Sequence, residues 1–313
     1  MSRFTELLGC KYPLQQAGMG AVAGPDLACA VSGAGALGMI GAGGVPAPML
    51  TGWLESMPSE AAVGVNFLMP FLDLEAVDAA ASRCRLVEFF YDAPDPSLVA
   101  RVHRGGALAG WQVGDPEEAR AAADAGCDVV VIQGVEAGGH IRGKHRLTEV
   151  LPDVRKAVTV PVVASGGIGS GRQMAAALSA GADAVRVGTL FLAAREADVH
   201  PDYLNALVAA GPQDTVITET FSQDWANAPH RVLRSSVEAA EAVTDEFVAE
   251  VVQGDDRWPV PRYSTMPPSR AIRGGVRAMA MYAGESVGGV TGERSAAEIV
   301  RELVEVCATA LRE

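Results

Sequence analysis

Short apolar segments rich in β-branched residues alternate along most of the chain with alanine-rich segments of helical character. The apolar segments span residues 12–19, 37–43, 62–68, 86–93, 107–113, 127–134, 160–168 and 184–192. Two of the intervening helices have recognisable ends, because Asp115 and Ser170 are suitable N-caps and Gly126 and Gly181 are suitable C-caps. Such alternation is typical of parallel strands joined by crossover helices.

Eight strand–helix units predict a single (β/α)8 TIM barrel. The chain of 313 residues, 49% of them hydrophobic, is long enough for a fold that commonly takes about 250 residues. The alternative is an open doubly wound sheet. That fold usually has a GxGxxG turn after its first strand, which is missing here, so the barrel is favoured.

The alternation stops after residue 199. Helical patterns cover 203–211 and 236–252, a proline-rich connector covers 257–275, and an amphipathic helix over 295–313 ends the chain. We therefore expect residues 1–199 and 291–313 to form the barrel, and residues 200–290 to form a helical cap inserted over the active site before the C-terminal helix.

The charge balance restricts the partners that we expect. The chain has 25 basic and 38 acidic residues, a net charge of −13, and no basic run, which disfavours nucleic acid and anionic membranes. No apolar segment approaches the ~18–20 residues of a membrane span, and the N-terminal segment does not resemble a signal peptide. Five scattered cysteines without a CxxC pair predict neither disulfides nor a metal site, so a cytoplasmic protein is expected.

Glycines cluster after the seventh and eighth predicted strands, where this fold usually binds phosphate. The candidates are Gly166, Gly167, Gly188 and Thr189, whose backbone N–H groups could bind a phosphate without a lysine or arginine. The alternative is that the Gly-Gly pair is an ordinary turn. The occurrence of glycines after both strands favours the phosphate site.

His140 follows the sixth predicted strand and stands directly after Gly138 and Gly139. Catalytic groups of (β/α)8 barrels lie at this end of the strands. An imidazole can move a proton near neutral pH, which contributes about 10²–10⁴ in rate. A solvated loop histidine is the alternative, but the position predicts a catalytic residue.

These motifs together resemble the nitronate monooxygenase family, formerly called 2-nitropropane dioxygenases. The resemblance extends from "PLQQAGMG" (13–20) to "MYAGESVGG" (281–289) and is strongest in "VVIQGVEAGGH" (130–140), "PVVASGGIGSG" (161–171) and "ADAVRVGTLFL" (182–192). Members of this family are FMN-dependent TIM barrels. The resemblance therefore implies FMN as the cofactor and a flavin-dependent oxidation as the activity.

The resemblance also implies a role for each matching residue. His140 would face the substrate. The residues that would contact FMN are Ala17, Gly18 and Met19 at the reactive edge of the isoalloxazine, Asn66, Gln133 and Gly138 at the ring system or ribityl chain, Gly166, Gly167, Gly188 and Thr189 at the phosphate, and Tyr282, Gly284 and Ser286 in a segment that returns to the flavin.

For four of these positions an ordinary structural role is the alternative. Asn66 and Gln133 could hydrogen-bond the free polar groups at strand ends, while Tyr282 and Met19 could pack in the core. The sequence also departs from the family at Gly18, because the first motif usually reads Gln-Ala-Pro-Met. We expect this glycine to preserve flavin placement and to change the fit of the substrate.

The leading hypothesis is oxidation of alkyl nitronates by O2 to a carbonyl compound and nitrite, in a monomer or homodimer. His140 would orient and stabilise the anion, or act as the base for a neutral nitroalkane, and Arg142 is the nearest arginine in sequence. The alternative enzyme is an FMN-dependent enoyl-thioester (enoyl-ACP) reductase that uses NAD(P)H. Its acidic carrier protein would need a basic entry patch, for which the candidates are Arg257, Arg262, Arg270, Arg273 and Arg277.

Two further readings are disfavoured. A nucleotide-oxidising barrel dehydrogenase would need a cysteine in the loop after the sixth strand, and none is there. A flavin- or phosphate-binding protein without turnover would not need His140.

Overall fold

The computed structural model describes residues 2–313. Its strands are β1 (Leu14–Gln16), β2 (Gly38–Gly41), β3 (Val63–Leu68), β4 (Leu86–Phe90), β5 (Leu108–Val113), β6 (Val129–Gln133), β7 (Gly139–His140), β8 (Val162–Ser165), β9 (Ala184–Val187), β10 (Thr215–Thr218), β11 (His230–Leu233), β12 (Phe247–Gln253), β13 (Asp256–Pro261) and β14 (Ile272–Gly274). Its α-helices are α1 (Arg3–Leu8), α2 (Pro25–Gly33), α3 (Ala47–Ser56), α4 (Leu74–Ala81), α5 (Pro96–Gly105), α6 (Pro116–Asp124), α7 (Leu147–Ala157), α8 (Gly171–Ser179), α9 (Pro201–Ala209), α10 (Arg234–Ala242) and α11 (Ala296–Ala310).

The eight predicted strands form one parallel sheet in the order β1-β9-β8-β6-β5-β4-β3-β2. The two ends of the sheet meet at a parallel bridge between Gln15 and Leu37. There the Gln16 N–H donates to the Leu37 carbonyl at 2.9 Å, and the Leu37 N–H donates to the Leu14 carbonyl at 2.9 Å. The sheet therefore closes into the predicted TIM barrel.

The strands are apolar on both faces because helices cover the outside and side chains fill the inside. In β6, for example, all five residues are buried. The predicted caps are confirmed for two helices, since the side chains of Asp115 and Ser170 accept backbone N–H groups of α6 and α8. Gly126 and Gly181, with φ of 96° and 101°, have the left-handed conformation that ends a helix.

Helix α11 completes the outer layer, as predicted, and packs against α8 and α2. The contact with α8 is close at Gly171, where a Cβ atom would lie 2.5 Å from the carbonyl oxygen of Leu303. A glycine at this position therefore lets the two helices approach each other.

The segment 200–290 contains strands as well as helices. Besides α9 and α10 it contributes β10 and β11 to a three-stranded sheet with β7, while β12, β13 and β14 form another. The prediction of one helix over 236–252 is wrong for its second half, because α10 ends at Ala242 and 247–253 form β12. A tight turn at Gly254, with φ of 62°, joins β12 to β13, and pairing between the two strands decides against the helix. The boundaries at 199 and 291 stay a prediction.

Candidate active site

A cavity of 530 Å³ opens at the carboxyl ends of the barrel strands, the end at which this fold carries its active sites. Twelve of the thirteen residues predicted to contact a cofactor line this cavity, and so does His140: Ala17, Gly18, Met19, Asn66, Gln133, Gly138, Gly166, Gly167, Gly188, Thr189, Tyr282 and Ser286. Gly284 is not among the lining residues. Its N–H group donates to the Thr189 hydroxyl at 3.0 Å.

The loop after β8 presents backbone donors to the cavity. Gly166 and Gly167 have φ of 119° and 70°, a region that L side chains rarely adopt. Within residues 2–313, neither of their N–H groups takes part in a backbone hydrogen bond. Gly188 caps the short 3-10 helix Thr189–Ala193, whose first turn also faces the cavity. This arrangement can bind an anionic group through main-chain N–H groups.

The two glycines before His140 have different structural roles. A Cβ atom on Gly138 would lie 2.4 Å from the backbone nitrogen of Gly284, so this glycine lets the returning segment pack against the loop. Gly139 has φ of 77° and open space at its Cβ position, so its backbone conformation is what requires glycine. The close packing of the returning segment, and not only a nearby ligand, therefore explains why residue 138 is a glycine.

The insertion fixes the position of His140. Residues 139 and 140 form β7, which pairs antiparallel with β11, so that His140 lies opposite His230. The side-chain amide of Gln133 donates to the His140 carbonyl at 3.0 Å and holds the same segment from the barrel side. His140 is thus held by hydrogen bonds from both the barrel and the insertion.

The His140 ring lies among aromatic side chains. Its centroid is 4.1 Å from that of Trp225, 5.1 Å from His230, 5.6 Å from Tyr282 and 6.1 Å from Tyr91. Burial among these rings, with a smaller contribution from His230, lowers the pKa of His140 from 6.5 to about 3. The imidazole is therefore neutral at physiological pH.

His230 supports this cluster as a neutral ring with a defined tautomer. Its Nε2 accepts the Phe221 N–H at 3.3 Å, so the proton lies on Nδ1, which donates to the Ala228 carbonyl at 2.8 Å. Burial lowers its pKa as well.

Two buried polar atoms near the cavity, Gln133 Oε1 and His140 Nε2, have no hydrogen-bond partner in the described chain. Leaving such an atom unpaired costs about 1–3 kcal/mol, so native proteins rarely do so without a bound ligand or water. These atoms and the free glycine N–H groups fit a polar cofactor that has both a phosphate and a hydrogen-bonding ring system.

A charged cluster that the sequence analysis did not identify forms the floor of the cavity. The Arg186 guanidinium pairs with the buried Glu88 carboxylate and donates to the Gln112 side chain at 2.6 Å. Asn66 donates to Glu88 at 2.7 Å, so its amide serves this cluster. The signal was present in the sequence, because "LVEFF" and "AVRVG" each place one charge inside an apolar strand.

Arg142 does not line the cavity. Its side chain pairs with Glu118 at 2.5 Å, and the same carboxylate accepts the Gly114 N–H at 2.8 Å. The nearest arginine in sequence therefore anchors the loop that follows His140, rather than supplying a donor to the cavity.

The insertion forms the outer wall of the cavity. The Tyr282 hydroxyl donates to the Thr265 carbonyl at 2.9 Å, and the Tyr203 hydroxyl donates to the Tyr282 carbonyl. Asp224 and Trp225 also line the cavity, although no sequence pattern had marked them.

The sequence model of the family described as "Nitronate monooxygenase" matches residues 1–51 and 52–306 of this chain. A probable nitronate monooxygenase of Staphylococcus aureus is 28% identical over an alignment of 269 positions, with 71% of this chain and 76% of that protein covered. A Rhodococcus jostii protein named (3aS,4S,5R,7aS)-5-hydroxy-7a-methyl-1-oxo-octahydro-1H-indene-4-carboxyl-CoA dehydrogenase is 36% identical over 240 residues, 74% of this chain. The match spans only 65% of that relative's length.

Two solved structures are similar over nearly the whole chain. FabK from Thermotoga maritima has a TM-score of 0.82 at 28% identity, with 100% of this chain and 97% of that chain covered. Nitroalkane oxidase from Streptomyces ansochromogenes has a TM-score of 0.79 at 29% identity, with 98% of both chains covered.

No helix within residues 2–313 is long and apolar enough to cross a membrane. The barrel, the glycine loop after β8 and His140 all lie within the range of the family match. The chain therefore belongs to the nitronate monooxygenase family of flavin oxidoreductases.

Proposed function

We propose that the protein binds FMN in the 530 Å³ cavity and oxidises alkyl nitronates with O2 to a carbonyl compound and nitrite. The observation that carries this proposal is the burial of His140, which keeps its imidazole neutral in the cavity wall. In this proposal the barrel residues 1–199 and 291–313 hold the cofactor, and the insertion 200–290 covers the site.

The chain's own residues suit FMN. The loop glycines Gly166 and Gly167 and the helix start at Gly188 and Thr189 would hold the phosphate. Backbone at Ala17, Gly18 and Met19, together with the Gln133 amide, would hold the ring system. When bound, FMN supplies the electron-transfer chemistry that no side chain of the cavity can supply.

The neutral state of His140 favours a nitronate over a nitroalkane. A base works best when its pKa lies near the operating pH, and a ring with a pKa of about 3 is a weak base. Removing a proton from the carbon of a nitroalkane would need a stronger one. A nitronate is already deprotonated, so the imidazole has only to orient it.

The same neutral ring can donate one N–H hydrogen bond to a nitronate oxygen. Such a donor matters in this protein, because the net charge is −13 and the charge of Arg186 is compensated by Glu88. An anionic substrate is therefore held by local hydrogen bonds and not by a positive surface.

A reaction on an acyl thioester is the second candidate. It is supported by the name of the Rhodococcus jostii relative, which specifies a fused-ring acyl-CoA, and by the similarity to FabK. The neutral His140 argues against a reductase, because at pH 7 it holds no imidazolium proton to deliver to carbon. The five arginines of the candidate entry patch do not line the cavity, and Arg257 is paired with Glu250 at 2.5 Å.

Anaerobic mixing distinguishes the two candidates. The purified yellow protein is mixed separately with NADH, NADPH and propionate 3-nitronate, and the flavin bands are followed. Reduction by the nitronate, with neither nicotinamide effective, is expected. Rapid bleaching of the flavin by a nicotinamide but not by the nitronate would instead support the thioester reaction.

Two further expectations belong to this proposal. The enzyme would act on small molecules in the cytoplasm, and it would do so as a monomer or homodimer. Size-exclusion chromatography with light scattering measures the second of these.

A further inference from the structure

Trp225 covers one face of the His140 ring. It lies in the loop between β10 and β11, and its ring stacks on the imidazole with a centroid distance of 4.1 Å and an interplanar angle of 23°. Only 8% of Trp225 is exposed, although it belongs to a loop at the mouth of the cavity. One of the two faces by which a substrate could approach the imidazole is therefore occupied by an indole.

Two aromatic residues from the barrel hold Trp225 in this position. The Tyr91 ring meets it edge-on at 4.4 Å and 75°, and the Phe71 ring at 5.6 Å and 89°. They come from the loops after β4 and β3, so Trp225 and His140 together connect the ends of three barrel strands. Aromatic pairs in this geometry contribute about 0.5–1.5 kcal/mol each beyond the area that they bury.

The backbone at Tyr91 is strained to make this contact. Its φ is 84°, in the left-handed region that costs a non-glycine residue about 1–3 kcal/mol. The Trp111 indole N–H fixes the adjacent turn by donating to the Asp92 carbonyl at 3.0 Å. Strain of this kind persists where the surrounding structure enforces it, and here it points the Tyr91 ring at Trp225.

Hydrogen bonds hold the loop that carries Trp225 in place at the mouth of the cavity. The carboxylate of the preceding residue, Asp224, accepts the Ser264 hydroxyl at 3.0 Å and the Thr265 N–H and hydroxyl at 3.4 Å each. Ser264 and Thr265 line the same cavity. The indole is thus held from the barrel by two rings and from the insertion by a carboxylate.

From this geometry we propose that Trp225 is a specificity-determining residue. It restricts the enzyme to substrates whose reacting carbon belongs to a narrow, unbranched chain. The proposal rests on the proposed function, because it takes His140 to be the residue that meets the substrate. With one face covered, a substrate could meet the imidazole only at its edge or on its remaining face. A straight-chain nitronate would need less room beside the indole than a carbon within a ring.

The Rhodococcus jostii protein is named for an octahydroindene carboxyl-CoA substrate. A substrate of that width would require the Trp225 ring to leave the imidazole. Enlarging the space at residue 225 should accordingly admit cyclic substrates.

The test compares the wild type with W225A, W225L and W225F, using the nitronates of 1-nitropropane and nitrocyclohexane. W225A and W225L are expected to raise the kcat/KM ratio of the cyclic to the linear nitronate at least tenfold, and W225F less. The matched control is W258A, because Trp258 is 47% exposed on the insertion's outer sheet. A ratio within twofold of the wild type in both W225A and W225L would overturn the proposal.

A second measurement does not depend on the substrate. The five histidine rings are labelled with ¹³C and their titrations followed by NMR in the flavin-loaded protein, with H140Q assigning the His140 signal. Trp225 contributes to the burial of that ring, so W225A and W225L should move its titration midpoint to higher pH, while W258A should not. If nitronates prove not to be substrates, only the proposed function is rejected. The role of Trp225 in covering His140 is rejected if the titration midpoint of His140 is unchanged in both W225A and W225L.

Discussion

Glu88 on β4 and Arg186 on β9 form an ion pair across the inside of the barrel, with side chains 0% and 4% exposed. Gln15 and Gln112 accept from the same guanidinium, at 3.3 and 2.6 Å. Asn66 donates to the carboxylate from β3. Three other side chains of the barrel thus depend on one buried charge pair, and its Arg186 lines the cavity in which the cofactor would lie.

Removing one partner of this pair should destabilise the protein more than removing both. E88Q leaves a buried guanidinium without its counter-charge, and R186M leaves a buried carboxylate, so each is expected to lower the free energy of unfolding by about 3–5 kcal/mol. The double variant E88Q/R186M buries no unpaired charge and should lose less than either. Urea unfolding of the three variants measures this, and additive losses in the double variant would contradict it.

Replacing His140 should impair turnover without releasing the flavin. We expect H140A to lower kcat/KM for nitronates by about 10²–10³-fold, the range for removing one hydrogen-bond donor to a charged oxygen. The flavin-to-protein absorbance ratio should stay unchanged, because the glycines proposed to hold the phosphate follow other strands. H145A is the matched control, since His145 is an exposed residue of the same loop. Full activity in H140A would favour a binding protein without turnover.

The His140 ring, enclosed by aromatic side chains, should make folding stability depend on pH. Its pKa is about 3 in the folded protein and 6.5 when exposed, so its stabilising contribution is complete above pH 6.5 and is lost as the pH falls toward 3. Between pH 7.5 and 5.5 this predicts a loss of about 1.4 kcal/mol from His140. The neighbouring His230, whose pKa is also lowered by burial, acts in the same direction, and Tyr91 and Tyr282 stay neutral in this range.

Urea unfolding of the wild type and H140Q at these two pH values isolates the contribution of His140. The wild type should lose more stability on acidification than H140Q, which retains His230. Equal losses in the two proteins would show that the His140 ring titrates as an exposed group.

The barrel was predictable because each of its strands is specified locally. An apolar run buried on both faces, followed by a capped helix, leaves few alternatives, and β8 followed by α8 with its N-cap at Ser170 is an example. The segment 247–252 was not predictable in this way. Its "FVAEVV" suits a helix or a strand, and pairing with β13 across the Gly254 turn makes it a strand.

The site was predictable where it lies at the ends of barrel strands, and not where it comes from the insertion. His140 and the glycines around it follow strands whose carboxyl ends meet at one edge. Trp225 reaches the cavity only because β11 pairs with β7, a contact between residues about ninety positions apart. No pattern in the residues around Trp225 indicates this pairing between segments so far apart in the chain. Arg186 is intermediate, since its charge within an apolar strand was a readable signal.

The glycine at residue 18, where the family usually has proline, should not tolerate a side chain. A Cβ atom there would lie 2.7 Å from the Asn66 Cβ, closer than such atoms approach in proteins. Gly18→Ala must therefore displace Asn66, whose amide donates to Glu88 at 2.7 Å, and we expect a loss of about 1–3 kcal/mol of unfolding free energy. Less flavin should also remain bound, because Gly18 and Asn66 both line the cavity.

The matched control for this change is Gly52→Ala. Gly52 lies inside α3 with no atom within 4 Å of its Cβ position, so alanine there should stabilise the helix by about 0.5–1 kcal/mol. Urea unfolding and the flavin absorbance ratio are measured for both variants. If Gly18→Ala is as stable as the wild type and keeps its flavin, Asn66 can move without cost. The departure from the family's proline then has no consequence for the floor of the cavity.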